Sequence, residues 1–205
     1  MIKSSFFLAI LLPLIGFATG HVDEVEAKWK VSGTSRVVVE GQSNVNEFKC
    51  VTIRYEGNDV LSQRNDNASG KRILEGSINM KVKSFDCENR VMTRDLRETL
   101  QKDAYPEITV DVVSITLPDN DGKSHKVDGQ AEITLAGETR LMDFTWEVSY
   151  PNSQKIRLSG NRELKFSQFN IDPPTKMMGM IRVRDELLVD FDLVLELADP
   201  DGASM

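Results

Sequence analysis

Apolar and polar residues alternate with a period of two along much of this chain. The pattern is clearest near the C-terminus, where every second residue from 187 to 197 is apolar and three of the residues between them are Asp or Glu. The same period recurs from residue 142 to residue 150. Successive side chains of a β-strand point to opposite faces of a sheet, so both runs predict strands with one buried and one solvated face.

Weaker runs of the same kind predict further strands at residues 36–40, 50–55, 75–85, 108–117, 130–135 and 155–166. Clusters of Gly, Asn, Asp and Pro separate these runs, and the short spacing favours antiparallel neighbours joined by hairpins. Within residues 108–117 the apolar positions change from even to odd numbers at Val113, which predicts a β-bulge. About eight strands place the chain in the all-β class, as an antiparallel barrel or a sandwich.

One stretch departs from the strand period. Met92, Leu96 and Leu100 are spaced by one helical turn, which predicts a short helix over residues 93–101. Thr93 or Asp95 is expected to cap its start. Pro106 is expected to stop it before the next strand, because the residue preceding a proline disfavours helical backbone.

The first twenty residues predict a signal peptide. Lys3 is followed by an apolar run over residues 6–17 and by the small residues Ala18, Thr19 and Gly20. This run is shorter than the roughly 20 apolar residues that cross a bilayer, and the small residues fit a signal-peptidase site. We therefore expect cleavage near Gly20, one β-barrel domain over residues 21–205 without a transmembrane segment, and a periplasmic or secreted protein.

The net charge argues against a nucleic-acid partner, and the cysteine and histidine counts favour a disulfide over a zinc site. The chain has 25 Lys and Arg against 32 Asp and Glu, and its formal net charge of −7 disfavours nucleic acid as a partner. Cys50 and Cys87 are an even pair in an exported chain, so a disulfide between them is favoured over two free thiols. The two histidines, His21 and His125, are too few for a zinc site.

No arrangement typical of an active site emerges from the sequence. Asp190 and Asp192 are paired carboxylates by spacing, but they fall on the polar face of a strand. No nucleophile with an adjacent base and no Gly-rich phosphate loop accompanies them. We therefore predict that the protein is not an enzyme, and we assign it no catalytic residue, no metal and no cofactor.

Two segments allow more than one interpretation. Met177, Met178 and Met180 follow a Pro-Pro turn, and they either fill one end of the core or form a gate for a ligand. The basic side chains of Arg94, Arg97 and Lys102 on the predicted helix either face solvent among acidic neighbours or meet an anionic head group.

Four groups of segments, in order along the chain, carry a resemblance to a known family. They are a strand, Gly turn and Phe at residues 35–48, the helix with a Tyr-Pro strand entry at 92–110, a hairpin between glycines at 127–140, and a closing pair at 166–174 and 187–197. In sequence and order they resemble the YceI-like family of exported bacterial lipid-binding proteins.

The resemblance implies an extended lipocalin-like barrel that holds an apolar lipid, of polyisoprenoid or isoprenoid-quinone type, for storage, transport or presentation in the periplasm. Together with strand parity, it assigns the tunnel lining to Phe144, Trp146, Val148, Phe191, Leu193 and Leu195. The same parity suits a barrel filled by its own side chains. The alternative function is therefore an exported protein-interaction module with a filled core, and a homodimer is left open.

Overall fold

The computed structural model describes residues 25–198, and the predicted signal peptide lies outside them. One helix, α1, spans Arg90–Thr99. The strands are β1 (Val25–Val31), β2 (Arg36–Ser43), β3 (Glu47–Thr52), β4 (Val60–Asp66), β5 (Lys71–Lys81), β6 (Phe85–Asp86), β7 (Glu107–Leu117), β8 (His125–Leu135), β9 (Glu138–Asn152), β10 (Lys155–Lys165), β11 (Thr175–Lys176) and β12 (Ile181–Leu197). The two clearest runs of alternation correspond to β9 and β12.

Eight strands form a closed antiparallel ring in the order β1–β4–β5–β7–β8–β9–β10–β12, and β12 pairs with β1 to close it. Strands β2, β3 and β6 continue the sheet sideways from β12. The two-residue β11 pairs with the start of β12. The prediction of an all-β, lipocalin-like antiparallel barrel of about eight strands with one short helix is confirmed.

The ring is complete at only one end of β12. This strand pairs with β1 through residues 195–197 and with β2 through residues 183–192. The change occurs at a corner between β1 and β2, where the Ser32 N–H donates to the Val194 carbonyl at 2.8 Å and the Val194 N–H donates to Ser35 Oγ at 3.0 Å. Beyond this corner β2 leaves the ring, so other elements have to cover the interior there.

The loop between β3 and β4 covers part of this opening. The Tyr55 hydroxyl donates to the Asp59 carboxylate, which also accepts from the Asn79 backbone N–H at 2.6 Å and from the Asn79 amide at 3.1 Å. Burial raises the pKa of Tyr55, so its phenol stays protonated as the donor. These bonds tie the loop to β5, and a void of only about 20 Å³ remains beside it.

The predicted bulge in β7 is confirmed. Its pairing with β8 shifts register between Val112 and Ser114, and its pairing with β5 shifts between Leu74 and Gly76. Gly76 has a φ of +136°, which a residue with a side chain rarely adopts. The extra residue lets Val112 and Ile115 both face the core although their parities differ.

The helix α1 begins earlier than the sequence predicts. Its N-cap is Asn89, whose side chain accepts from the N–H groups of Val91 and Met92, so the predicted caps, Thr93 and Asp95, are wrong. The helix also ends before Pro106 is reached. Gln101 has a φ of +52°, and the Gln101 and Lys102 N–H groups bond back to the last turn, which is the Schellman type of helix end.

Strands β1 and β4 have no counterpart among the predicted strands. The alternation of β1 is regular, so the sequence interpretation missed a visible strand, whereas the alternation of β4 is interrupted. Gln63 of β4 is buried although it is polar, and its side-chain oxygen accepts from Trp29 Nε1 at 3.1 Å. A buried amide that accepts from an indole N–H costs little free energy. Because Gln63 stands where an apolar residue would be expected, however, β4 lacks the alternation that predicts a strand.

Candidate functional site

Side chains pack the barrel interior around the corner where β12 changes its partner, and on towards the end where the ring is complete. Phe144 and Trp146 of β9 and Phe191 of β12 form an aromatic cluster, with ring centroids 5.4 Å apart for Phe144–Trp146, 5.9 Å for Phe144–Phe191 and 4.5 Å for Trp146–Phe191. Leu193 and Leu195 continue the inner face of β12 beyond this cluster, and Val148 continues that of β9. All six of these residues are at most 9% exposed.

Two glycines make room for the aromatic cluster. A Cβ on Gly129 would lie 2.6 Å from the Ser114 carbonyl oxygen and 3.2 Å from Trp146 Nε1. A Cβ on Gly160 would lie 2.7 Å from the edge of the Phe191 ring. These distances are shorter than ordinary contacts, so a larger residue at either position would displace a ring or the backbone. The Trp146 indole N–H is buried and has no acceptor in the described part of the chain.

The interior is hollow beyond the aromatic cluster, where β12 pairs with β2. A cavity of about 100 Å³, the inner cavity, begins one inward-facing position further along the strands. On β12, for example, Val189 lines the cavity and Phe191 belongs to the cluster. The rest of the lining comes from β2, β5, β6, β7, β8, β10, α1 with its C-cap, and the turn at Phe166–Phe169, and Lys165 is its one charged residue.

A second cavity of about 260 Å³, the outer cavity, adjoins the first and leads to the surface. The two share Val39, Leu96, Phe166 and Leu187 as lining residues. The mouth of the outer cavity is polar, with the following side chains around an otherwise apolar lining: Ser43, Asn46, Asp95, Thr99 and Lys176. The site is therefore an apolar pocket with a polar rim, which is the usual composition of a small-molecule site.

A disulfide fixes the wall that α1 provides. Cys50 of β3 is bonded to Cys87, which lies between β6 and α1, and both cysteines line the outer cavity. The Cys87 N–H also donates to Thr93 Oγ1 of α1 at 3.0 Å. The predicted pairing of Cys50 with Cys87 is confirmed, and it joins β3 to the start of the helix that covers the cavities.

Two basic side chains hold the helix at other points. An Arg97 guanidinium nitrogen donates to the Lys83 carbonyl at 2.6 Å and to the Phe85 carbonyl at 3.0 Å, so this side chain is bound to the protein's own backbone. The interpretation of Arg97 as a solvent-facing side chain is therefore wrong, and its interpretation as a head-group ligand stays a prediction. Across the cavity mouth, Lys176 Nζ lies 2.8 Å from the Asp95 carboxylate and links α1 to β11.

No group of three or more His, Cys, Asp and Glu side chains that could hold a metal lies within residues 25–198. No helix in that part of the chain has the length and apolar character needed to cross a membrane. Asp95 and Lys176, the charged groups at the mouth, are paired with each other, so the cavities present mainly apolar surface.

Comparison with known proteins is informative at the level of structure. No family model matches the sequence, and no curated protein matches it. A polyisoprenoid binding domain from Saccharophagus degradans superposes with a TM-score of 0.58 at 17% identity, over 85% of this chain and 100% of that one. BcnA of Burkholderia cenocepacia has a TM-score of 0.52 at 20% identity, over 78% and 94% of the chains. A variant of the Campylobacter jejuni YceI protein has a TM-score of 0.50 at 17% identity, over 96% and 99%.

This chain has the YceI-like fold. The superpositions cover most of this chain, and the fold is the one that the resemblance implied. At these identities the likeness concerns the fold, and the roles of individual residues have to be argued from the cavities themselves.

In this YceI-like barrel the residues assigned to the tunnel lie on the packed side. None of the six lines the inner or the outer cavity, and Leu193 lies beside the void of about 20 Å³. Their contact with a ligand stays a prediction. The four residues that both cavities share were not singled out as ligand-binding, although β2 alternation and the helical spacing of Leu96 are visible in the sequence. The parity of a position in a strand shows whether its side chain faces the barrel interior or the outside. It does not show whether the interior at that level is packed or hollow.

The methionines after the Pro-Pro turn do not fill the core of the YceI-like barrel. Met177, Met178 and Met180 are 62%, 102% and 64% exposed. Met177 and Met178 have φ angles of +51° and +56°, so the loop turns sharply and leaves these side chains in solvent. The interpretation as core filling is wrong, and the interpretation as a gate stays a prediction.

A hydrogen-bonded turn supports the wall opposite α1. Phe166 and Phe169, both buried, belong to the turn at Phe166–Phe169, and Asp185 of β12 accepts from the Ser167 N–H at 2.8 Å and from Ser167 Oγ at 2.5 Å. The bond from the Ser167 hydroxyl is the main cause that lowers the pKa of Asp185. Asp185 is only partly buried, so its carboxylate orients the turn more than it stabilises the fold.

We predict that Ser167→Ala raises the pKa of Asp185 towards the ordinary aspartate value, because the variant loses the hydroxyl donor. The pKa is lowered in the folded state, so this contribution to stability is full above the ordinary aspartate pKa. It is lost as the pH falls through the lowered value. NMR titration of the side-chain carboxyls measures the shift. The pKa of Asp66, which Ser69 lowers in the same way elsewhere, should not change, and an unchanged Asp185 would contradict the assignment.

Proposed function

We propose that the two adjoining cavities bind the chain of an apolar lipid, of polyisoprenoid or isoprenoid-quinone type. The observation that carries this proposal is the predominantly apolar lining that the two adjoining cavities share and that leads inward from the polar mouth. The structural neighbour described as a polyisoprenoid binding domain supports the same ligand class. Storage, transport or presentation of the lipid in the periplasm is the corresponding role.

Burial of the lipid chain supplies the affinity. Several lining residues, including Val39, Leu96 and Val189, are only partly buried by the protein. A ligand that covers them removes apolar surface from water at about 25 cal/mol per Å². The inner cavity offers the ligand no set of converging polar groups, and a head group would remain at the mouth beside Asp95 and Lys176. This chemistry is that of a binding protein rather than an enzyme.

The size of the cavities indicates how a long chain is accommodated. Their volumes of about 260 and 100 Å³ are each below the roughly 300–1,000 Å³ of small-molecule sites, and only together do they reach the low end of that range. The aromatic cluster blocks further extension along the barrel axis. A longer chain therefore requires α1 to move outward from the barrel or the lipid to project from the mouth.

Export of the protein belongs to the same proposal. A disulfide persists in an oxidising compartment, and Cys50–Cys87 is consistent with the periplasm or the exterior. Cleavage near Gly20 would release a chain that begins close to His21. The mass of the protein purified from the exported fraction tests this point directly.

A second candidate function is an exported interaction module. The packed aromatic cluster favours it, since half of the barrel is filled by its own side chains as in a rigid scaffold. The two cavities in the other half of the barrel favour lipid binding. Native mass spectrometry separates the two, because a stoichiometric apolar lipid co-purifies in the first case, and an empty protein that refuses added polyprenols and quinones results in the second.

A variant that fills the cavity tests the site. We expect Val39→Trp, on the inner face of β2, to weaken binding of a fluorescent polyprenyl probe by at least about tenfold, because the indole occupies space where roughly two ligand methylenes would be buried. Fluorescence titration measures the affinity.

The matched control is Val38→Trp, because Val38 lies on the same strand and lines an open surface groove outside the barrel. It should bind the probe like the wild type, and circular dichroism verifies that both variants are folded. Equal affinity for Val39→Trp and the wild type would show that the ligand does not enter these cavities.

A further inference from the structure

A broad groove adjoins the outer cavity, and we call it the side groove. It has a volume of about 870 Å³ and lies between β2, β3, β10, β12 and the segment that leads into α1. Four residues line both the side groove and the outer cavity: Phe48, Cys87, Met92 and Leu187. The side groove is therefore next to a cavity that already suits an apolar chain.

An irregular strand pairing leaves room for the side groove. The register between β2 and β12 shifts by two residues between Val183 and Leu187, so residues 184–186 lie opposite the single residue Gln42. A bulge of this kind disrupts the ladder and bends the strand, and bulges are common beside functional sites. The groove thus lies where the sheet that encloses the cavities is least regular.

The Phe48 ring lies between the side groove and the outer cavity. It packs over Gly41 of β2, where a Cβ would lie 2.3 Å from the ring and 2.8 Å from the Leu187 side chain. Only a glycine leaves space for the ring at this position. Phe48 is partly buried and belongs to both linings. A chain can therefore pass from groove to cavity by displacement of side chains, with no change in strand pairing.

Carboxylates outnumber basic groups in the side groove. Two glutamates of its lining are already ion-paired, one with Lys49 of the lining at 2.7 Å and one with Lys165, beside the groove, at 3.2 Å. The charged lining residues are Glu40, Glu47, Lys49, Glu88, Glu163, Arg184 and Glu186.

Three carboxylates of the side groove are left for a ligand. Glu47, Glu88 and Glu163 have no ion-pair partner in the described part of the chain. Two basic side chains oppose them, Arg184 in the lining and Arg90 next to it in sequence. The remaining local charge is negative, and the net charge of −7 on the whole chain attracts cations over a longer range.

We propose that the side groove holds the head group of a cationic amphiphile, such as a long-chain amine, whose apolar chain occupies the outer cavity. An acidic surface alone would attract any cation. The adjoining cavity adds burial of an apolar chain, and the two together match an amphiphile. The inference rests on the proposed function, because it names the head group that the same lipid site prefers.

Isothermal titration calorimetry of the exported, disulfide-bonded protein with dodecylamine and with dodecanoate tests this preference. The two probes have the same number of carbon atoms and carry opposite charges at neutral pH. We expect dodecylamine to bind at least about tenfold more tightly at low ionic strength, and the preference to shrink as salt is added. Equal affinities, or tighter binding of dodecanoate, overturn the proposal.

A double variant locates the preference in the side groove. Glu88→Gln with Glu163→Gln should remove most of it, because two carboxylates without ion-pair partners are lost. The matched control is Glu107→Gln with Glu147→Gln, which changes the net charge equally at two exposed positions outside the groove and the cavities. The control should keep the preference. Equal loss in both variants would assign the effect to net charge and overturn the site.

A third variant tests whether the chain of the amphiphile enters the barrel. Val39 lines both cavities but not the side groove, so Val39→Trp should weaken dodecylamine binding, and Val38→Trp should not. Undiminished binding to Val39→Trp would mean that the amphiphile stays on the surface, which also overturns the proposal.

The polyprenyl probe distinguishes failure of this inference from failure of the proposed function. A protein that binds the probe but does not discriminate between the two amphiphiles loses only the head-group site. A protein that prefers dodecylamine but refuses the probe keeps the head-group site and disproves the polyisoprenoid class. A protein that binds none of the three ligands disproves both.

Discussion

Trp146→Ala is expected to lower the free energy of unfolding by about 3–5 kcal/mol, the cost of removing a large aromatic side chain from a packed core. Trp146 is 2% exposed and contacts both rings of the aromatic cluster. Its removal leaves a void beside Phe191 that the ring of strands cannot close, because the backbone pairing of β8, β9 and β10 fixes their separation. Since small domains are stable by about 5–15 kcal/mol in total, the variant should be close to unfolding.

Urea unfolding followed by far-ultraviolet circular dichroism measures this loss. Trp146→Phe is the informative control, because it keeps a ring in the cluster and removes an indole N–H that has no acceptor in the described part of the chain. It should cost clearly less than the alanine. Leu141→Ala, on the exposed face of the same strand, should change stability by no more than about 0.5 kcal/mol. Equal losses for alanine and phenylalanine would contradict the assignment of this stability to ring packing.

Removal of the disulfide is expected to have an effect of similar size. The bond between Cys50 and Cys87 closes a segment with a sequence separation of 37, which corresponds to about 4 kcal/mol of chain entropy in the unfolded state. The double variant Cys50→Ser with Cys87→Ser should therefore lose about 3–4 kcal/mol in urea unfolding. It should also release the polyprenyl probe faster than the wild type, because the start of α1 loses its covalent link to β3.

Reduction of the wild-type protein is the control for the serine variant. A reducing agent should lower the stability of the wild type to about that of the variant and should leave the variant unchanged. Thiol counting confirms that the bond has been broken. A release rate that stays the same while stability falls would separate the two roles, and it would show that α1 does not control access to the cavities.

These two expectations concern opposite ends of one barrel. The aromatic cluster gives the packed end its rigidity, whereas the hollow end depends on tethers between α1 and its surroundings: the disulfide, the Arg97 bonds to backbone carbonyls and the Lys176–Asp95 pair. A binding site needs a part that can adjust, and elements held by a few tethers open more readily than strands inside a closed ring.

The sequence by itself determined the all-β class, the two strongest strands, the bulge in β7 and the pairing of Cys50 with Cys87. Each of these follows from a local pattern: a period of two for strands, a change of parity for the bulge, and an even cysteine count in an exported chain. It did not determine the helix cap at Asn89, because Asn, Asp and Thr are all able to cap and the tertiary position of α1 selects among them.

Only the tertiary structure decided where the barrel is hollow. Phe191 and Val189 share the inner face of β12, yet the first belongs to the packed cluster and the second lines the inner cavity. Both residues lie where β12 pairs with β2, and the difference is that Phe191 meets the rings of Phe144 and Trp146, whereas Val189 does not. Alternation along one strand reports which face is buried. How much space lies behind that face depends on where other strands and a helix close over it, which are contacts between residues far apart in the chain.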